Sequence, residues 1–308
     1  MIAAVTGGTG FIGRALVQRL LSSHRFSEVR VLTRGRPVLA GVRVYCADLV
    51  RDPLEGFVRG ADVVFHCAGE VREKSVMRKL HVQGTERLVS AARGQIRLWV
   101  QLSSVGAYGG ALRKGIVDEN CPVAPDSDYE VTKVESDFLV TEASASGAFV
   151  SVTLRPSIVF GPGMPNRSLY QLVTAVDRGL FFFVNREAIA NYVYVDDVAE
   201  ALAACSSAPV DTLYNLSDDR TMEEFIGAIA VQLGRATPRL TVSEGVARLA
   251  ARVGSAIPRF PLTISRIEAL SRQVRYPSRR IRCELNYEFR VSIEEGLRRF
   301  VADWRADR

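Results

Sequence analysis

The chain opens "MIAAVTGGTGFIGRALVQRLL", an apolar run that meets a set of glycines and passes directly into residues at helical spacing. Phe11, Ala15, Leu16, Arg19 and Leu20 recur with the period of a helix. No other stretch restricts the fold as much. A strand that turns through Gly7, Gly10 and Gly13 into a helix presents bare backbone N–H groups, and the positive end of the helix dipole, to whatever lies beside it. A pyrophosphate suits that environment. Glycine-rich turns also serve only to pack strand on helix, so the chain that follows has to decide.

It continues as a nucleotide-binding sheet requires. "EVRVLTR", "VRVYCADL", "ADVVFHCAG" and "LWVQLSSV" read as four further strands, and "VMRKLHVQGTERLVSAARG", between the last two, is apolar at helical spacing and ends in glycine. Alternating strands and helices predict an α/β fold with a doubly wound parallel sheet and ligands at the C-terminal ends of its strands. "HCAG" and "SS" fall at such ends. Singly, Gly69 reads as a strand terminator and Asp48 as a helix cap; in this order, the pieces predict a dinucleotide site. The second strand ends Leu32, Thr33, Arg34, with Gly35 and Arg36 following. A basic residue there favours the 2′-phosphate of NADP, whereas NAD sites place a carboxylate at that point.

Of the 40 basic residues only four are lysines, and one of them, Lys133, stands four residues after Tyr129 in "DYEVTK". On a helix this spacing puts both on one face. A phenol with an ordinary pKa near 10 is a poor base at neutral pH, and a nearby cation favours the phenolate. A compact ammonium can approach both a phenol and a ribose, where a guanidinium is broad and committed to forked partners. Ser104, at the end of the fifth strand, completes a constellation with Tyr129 and Lys133.

Other classes are disfavoured. The five cysteines lack CxxC spacing and read as reduced thiols, and the three histidines are not paired at metal-ligand spacing, so no metal site is expected. The N-terminal strand leaves no room for a signal peptide, and no stretch reaches the roughly 20 apolar residues of a membrane span, which predicts a cytoplasmic protein. From Arg235 onward 16 arginines face 8 acids. That excess suits an anionic substrate, a membrane surface or nucleic acid, but no aromatic interleaving or helix-turn-helix pattern supports the last.

The motifs "TGGTGFIG", "ADL", "HCAG", "SSVGAYG", "YEVTK", "LRPSIVFGPG" and "YVYVDDVAEAL" together resemble the extended short-chain dehydrogenase/reductases, the nucleotide-sugar epimerase/dehydratase family. The resemblance implies a dinucleotide-binding domain over 1–163 with a return segment near 190–217. A smaller, mostly helical cap over the substrate, 164–189 and 218–308, completes it. It implies Ser104, Tyr129 and Lys133 as the catalytic residues: Tyr129 exchanges a proton with the substrate oxygen, Ser104 holds that oxygen and Lys133 lowers the tyrosine pKa. The implied contacts of NADP or NAD are Gly7, Gly10, Phe11, Ile12, Gly13, Thr33, Arg34, Asp48, Leu49, Cys67, Ala68, Gly69, Tyr129, Lys133 and Pro156. A homodimer through two helices per subunit is implied as well.

Departures from the family pattern narrow the reaction. Val105 and Gly106 follow Ser104 where dehydratases carry Asp-Glu, and Gly106 stands where 3,5-epimerising members carry cysteine. Chemistry at one carbon of a nucleotide sugar remains, by a 4-epimerase or 4-ketoreductase serving surface polysaccharide synthesis. The alternatives are a reductase of a hydrophobic ketone, steroid or flavonoid-like, and a non-catalytic NADP sensor, which the intact constellation argues against. His81 replaces the usual asparagine in "HVQGT" and is open to two readings, helix packing or a place in the active site. In the cap, Thr221 and Glu224 form a capping box before "MEEFIGAIAVQLG", and "SEGVARLAARVGSAI" reads as a helix suited to a nucleoside diphosphate, a membrane face or a partner helix.

Overall fold

The computed structural model describes residues 1–35, 40–208, 211–254 and 262–307. The chain begins β1 (Ile2–Thr6), α1 (Phe11–Ser22), β2 (Glu28–Thr33), β3 (Arg43–Cys46), α2 (Glu55–Val58) and β4 (Val63–His66). A continuous helical run follows, α3 (Lys74–Arg78), a π-helical turn (Lys79–Gln83) and α4 (Gly84–Ala92), and then β5 (Leu98–Leu102). After a 3₁₀ turn (Val105–Tyr108) come β6 (Lys114–Ile116), α5 (Asp128–Ala145), β7 (Val150–Pro156), β8 (Ile158–Phe160) and α6 (Ser168–Asp177). β9 (Ile189–Tyr194), α7 (Val195–Cys205), β10 (Thr212–Leu216), β11 (Asp218–Thr221) and α8 (Met222–Leu233) come next. The chain closes with α9 (Glu244–Gly254), α10 (Ile264–Ala269), β12 (Gln273–Arg275), α11 (Arg279–Leu285) and α12 (Ile293–Ala306).

Seven strands form one parallel sheet in the order β10-β7-β5-β4-β1-β2-β3. The central strands β1, β4, β5 and β7 are buried on both faces, which is why they read as near-continuous apolar runs, whereas the edge strand β3 is exposed at Arg43 and Cys46. The two-residue period sorts their side chains: Ala3, Val5, Val63 and Val100 join the layer holding Leu16, Leu20, Val198 and Leu202. Ala4, Val64 and Trp99 join the opposite layer with Leu88 and Val140. The strand order reverses between β1 and β4, and a crevice opens at their C-terminal ends there.

A second core gathers β8, β9 and β11, a three-stranded sheet, with α6, α8 and α12. Phe160 lies at its centre, edge-on to Tyr192, Tyr194 and Phe225. Ile12 of α1 packs against both cores, so the cradle helix touches the sheet layer and the second core together. Thr221 caps α8 as the sequence suggests: its hydroxyl accepts the Glu224 N–H at 3.2 Å and the Glu224 carboxylate accepts the Thr221 N–H at 2.8 Å. Of "SEGVARLAARVGSAI", residues through Gly254 belong to α9; Ser255–Ile257 lie outside the described residues, as does Arg36. Among the described residues no helix is long and apolar enough to cross a membrane.

Candidate active site

The site forms where β1, β4 and β5 end. Gly7 turns with φ +67°, and a Cβ there would sit 2.7 Å from the backbone of Cys67 and Ala68. A Cβ on Gly13 would fall 2.1 Å from the Gly7 carbonyl oxygen, so only glycine lets α1 start this close to β1. Gly10 is the N-cap of α1 and offers no side-chain cap. The first N–H groups of the helix, from Phe11 on, therefore face the crevice without a side-chain acceptor. An anionic pyrophosphate fits that cradle. Thr33 and the exposed Arg34 stand at the end of β2, and Asp48 and Leu49 follow β3. The Asp48 carboxylate accepts the Val50 N–H at 2.8 Å, and Leu49 is buried against Gly84.

The β4 end is held by a chain of buried hydrogen bonds. Thr6 and His66 are direct partners across β1 and β4, with Thr6 Oγ1 and His66 Nδ1 2.7 Å apart. The Ala68 N–H donates to the same hydroxyl at 3.2 Å, and His66 Nε2 meets Thr85 Oγ1 at 2.9 Å. These bonds fix Cys67, Ala68 and Gly69 beside Gly7. Burial, with the charge of Lys133 adding to it, holds the His66 ring neutral, its pKa lowered to about 3. Burial also pushes the Cys67 thiol up to about 12, which makes it inert.

Ser104 follows β5 and caps the 3₁₀ turn, its hydroxyl accepting the Gly106 N–H at 3.1 Å. Tyr129 sits in the first turn of α5, which Ser127 and Glu130 open with a reciprocal capping box. The Ser104 side chain stands beside the Tyr129 phenol and favours its ionised form. One turn on, Lys133 is buried and donates from Nζ to the Leu102 carbonyl at 2.6 Å. A further turn on, the buried Asp137 carboxylate accepts from Ser103 Oγ at 2.5 Å and Arg155 Nη2 at 3.3 Å. The structure thus brings Ser104, Tyr129 and Lys133 together beside the glycine cradle, with Pro156 ending the neighbouring β7.

The Tyr129 phenol is pushed up to about 12, first by burial and then by the Asp137 carboxylate, with the Ser104 hydroxyl opposing. Lys133 has its own partners: burial lowers its pKa, and Asp137 and Cys67 work against that. The ammonium is directed at the Leu102 carbonyl, and its field is shared with the carboxylate one turn beyond it.

His81 satisfies both readings offered for it. It lies in the π-helical turn, and its Nε2 accepts the Glu70 N–H at 2.8 Å, so the hydrogen resides on Nδ1, which meets Thr132 Oγ1 at 2.8 Å. Its ring packs edge-on to Tyr129 with centroids 5.7 Å apart. Burial and Lys133 lower its pKa to about 4. Sequence reasoning missed Thr6, His66, Thr85, Ser103, Asp137 and Arg155. Only Asp137 carried a local signal, four residues after Lys133 on the same helical face.

A parallel doubly wound sheet, a glycine cradle at its switch point and a Ser-Tyr-Lys cluster beside it define a dinucleotide-dependent enzyme of the extended short-chain dehydrogenase/reductase type. The model of the NAD dependent epimerase/dehydratase family matches residues 3–216, and the chain belongs to that family. It is 28% identical to a 4-hydroxy-2-methyl-3-oxo-4-farnesyl-3,4-dihydroquinoline-1-oxide ketoreductase of Stigmatella aurantiaca, over 95% of this chain and 93% of that one. It is 29% identical to a ceramide reductase of Caulobacter vibrioides over 78% of this chain and 72% of that one. The fold matches UDP-glucuronic acid 4-epimerase from Bacillus cereus in complex with NAD, with TM-score 0.78 and 18% identity over 99% of both chains.

Proposed function

We propose that the protein reduces a ketone at a single carbon of a lipophilic substrate, using NADPH. The observation that carries the reading is the clustering of Ser104, Tyr129 and the buried Lys133 one helical turn on, beside the glycine cradle. Bound at the cradle, the nicotinamide cofactor supplies hydride. Ser104 holds the carbonyl oxygen, and Tyr129, a phenol that stays protonated at neutral pH, donates the proton to it. Lys133 fixes the end of β5 through Leu102 and would hold the cofactor's ribose. Arg34 would donate to the 2′-phosphate of NADPH.

The lipophilic class rests on two supports. β4 and β7 flank β5, and the segments leaving them carry the exposed aliphatic side chains Val71 and Ile158, 54% and 44% exposed. Arg155 of β7 is committed to Asp137 and to the Tyr108 ring. The relatives described above include reductases whose names specify a farnesylated quinoline and a ceramide. A second reading, a nucleotide-sugar 4-epimerase or 4-ketoreductase of surface polysaccharide synthesis, is favoured by the full-length likeness to a UDP-glucuronic acid 4-epimerase. A cytoplasmic homodimer, with residues 164–189 and 218–308 as the cap, accompanies either reading.

The test is NADPH consumption with long-chain and prenylated ketones in detergent, beside conversion of UDP-, GDP- and dTDP-sugars. Turnover of the ketones, lost in Tyr129→Phe, supports the first reading. Sugar conversion without ketone reduction replaces it with the second.

A further inference from the structure

Three of the large apolar side chains left most open to solvent, Val246, Leu249 and Val253, belong to the single helix α9 and are 59%, 62% and 69% exposed. At about 3.6 residues per turn they fall, with exposed Ala250, within an arc of roughly 100°. The opposite choice of residues faces inward: Ala247, Ala251 and Gly254 are the buried positions, and the two alanines pack on Val184 and Ile267. A surface helix of a globular protein normally buries its large aliphatics and shows small or polar residues to water. In α9 the arrangement is reversed, and a contiguous apolar face of this kind marks an interaction site.

The helix is formed and anchored without a partner. Arg248, on its polar side, pairs with Glu244 at 2.8 Å and with Glu268 of the following segment at 3.4 Å. Charge identifies the occupant. Residues 235–275 hold eight arginines and two glutamates, so this segment alone accounts for the net charge of +6 and the rest of the chain is neutral. Arg252 borders the apolar arc and is exposed, as are Arg239 and Arg266 on the flanking segments. An aliphatic arc bordered by cations, on an otherwise neutral molecule, matches a surface of apolar chains beneath anionic headgroups.

We propose that the outer face of α9 docks on an anionic lipid bilayer, with Val246, Leu249 and Val253 entering the boundary between headgroups and acyl chains. The surrounding arginines lie against the phosphates. The inference uses only the helix and its charge, and it stands whichever substrate the active site takes.

The test is sedimentation of the full-length protein with vesicles of phosphatidylcholine alone and of equimolar phosphatidylcholine and phosphatidylglycerol. Binding is expected to the anionic vesicles, to weaken in high salt, and to fall at least about tenfold in the Val246→Ser, Leu249→Ser, Val253→Ser triple variant. NADPH affinity of that variant, unchanged, shows an intact fold. Absence of binding to anionic vesicles, or equal binding by the triple variant, overturns the proposal. So does a parent oligomer that the triple variant dissociates while neither form binds vesicles, because the face is then an interface between copies of the chain.

Discussion

At the scale of single residues the site rests on neutral groups held neutral. Tyr129 is kept a phenol by burial and by Asp137, and the proton it would donate in the proposed reduction is therefore present throughout the neutral range. The kcat of reduction should stay flat from about pH 6 to about pH 9, and Tyr129→Phe should lower it by on the order of 10²-fold while leaving cofactor affinity unchanged. A steep rise in kcat with pH would show that the phenolate, not the phenol, is the working form. His81 and His66 have folded-state pKa values of about 4 and about 3, below the ordinary value of 6.5. Between those limits the unfolded chain binds more protons, so stability is complete above pH 6.5 and declines as pH falls toward 4. Denaturant unfolding should show this slope. His81→Asn should remove part of it, up to about 3 kcal/mol. An unchanged slope would place the ring's neutrality outside the folding balance. Glycines, YxxxK and Ser104 were legible because each acts through local backbone or one helical turn. Thr6, His66 and Arg155 were not, because their partners are assigned only by strand register and by packing across the sheet.

Among the elements, α5 couples stability to chemistry most directly. Its capping box binds Ser127 to Glu130, and Tyr129 stands between them in the first turn. Ser127→Ala should cost about 1 kcal/mol of stability. Fraying of that turn should also reduce kcat more than it raises KM, measurable by comparing thermal midpoints with steady-state kinetics. The spacing "SDYE" carries this box in the sequence, as "TMEE" carries the one on α8. The long helix ahead of β5 was legible in extent, since α3, the π-helical turn and α4 run on without a break. Its wide turn was not. Periodicity averages over a single inserted residue, and what holds the turn is tertiary: His81 fixed to Glu70 and Thr132, and Gly84 beneath Leu49. π-helical turns of this kind gather at functional sites, and here one aims a ring at Tyr129.

For the whole molecule, the cofactor should act as a stabilising ligand because its cradle helix joins the two cores through Ile12 and Ala15. NADPH at about 100 times its Kd should add about 2.7 kcal/mol, raising the thermal midpoint by roughly 5 °C. Replacing Arg34 by aspartate should shrink that rise and enlarge the one given by NADH, a swing of about 1 to 3 kcal/mol. A larger rise with NADH in the unaltered protein would reverse the cofactor assignment. The sheet was legible because its central strands β1, β4, β5 and β7 are buried on both faces. The β8-β9-β11 sheet was less so, β8 and β11 being short and β11 pairing with β9 across the intervening β10.

The position of β10 also bears on how the chain is made. β7 is complete at Pro156, yet the strand that covers its open side is not synthesised until Thr212–Leu216, with β8, α6, β9 and α7 intervening. While that stretch leaves the ribosome, a bare, apolar parallel edge waits for its neighbour, the kind of edge that recruits other chains. Nascent chains halted before residue 212 should therefore be the aggregation-prone species and the ones held by chaperones, and release should coincide with the arrival of Tyr214 in its buried place beside Leu154.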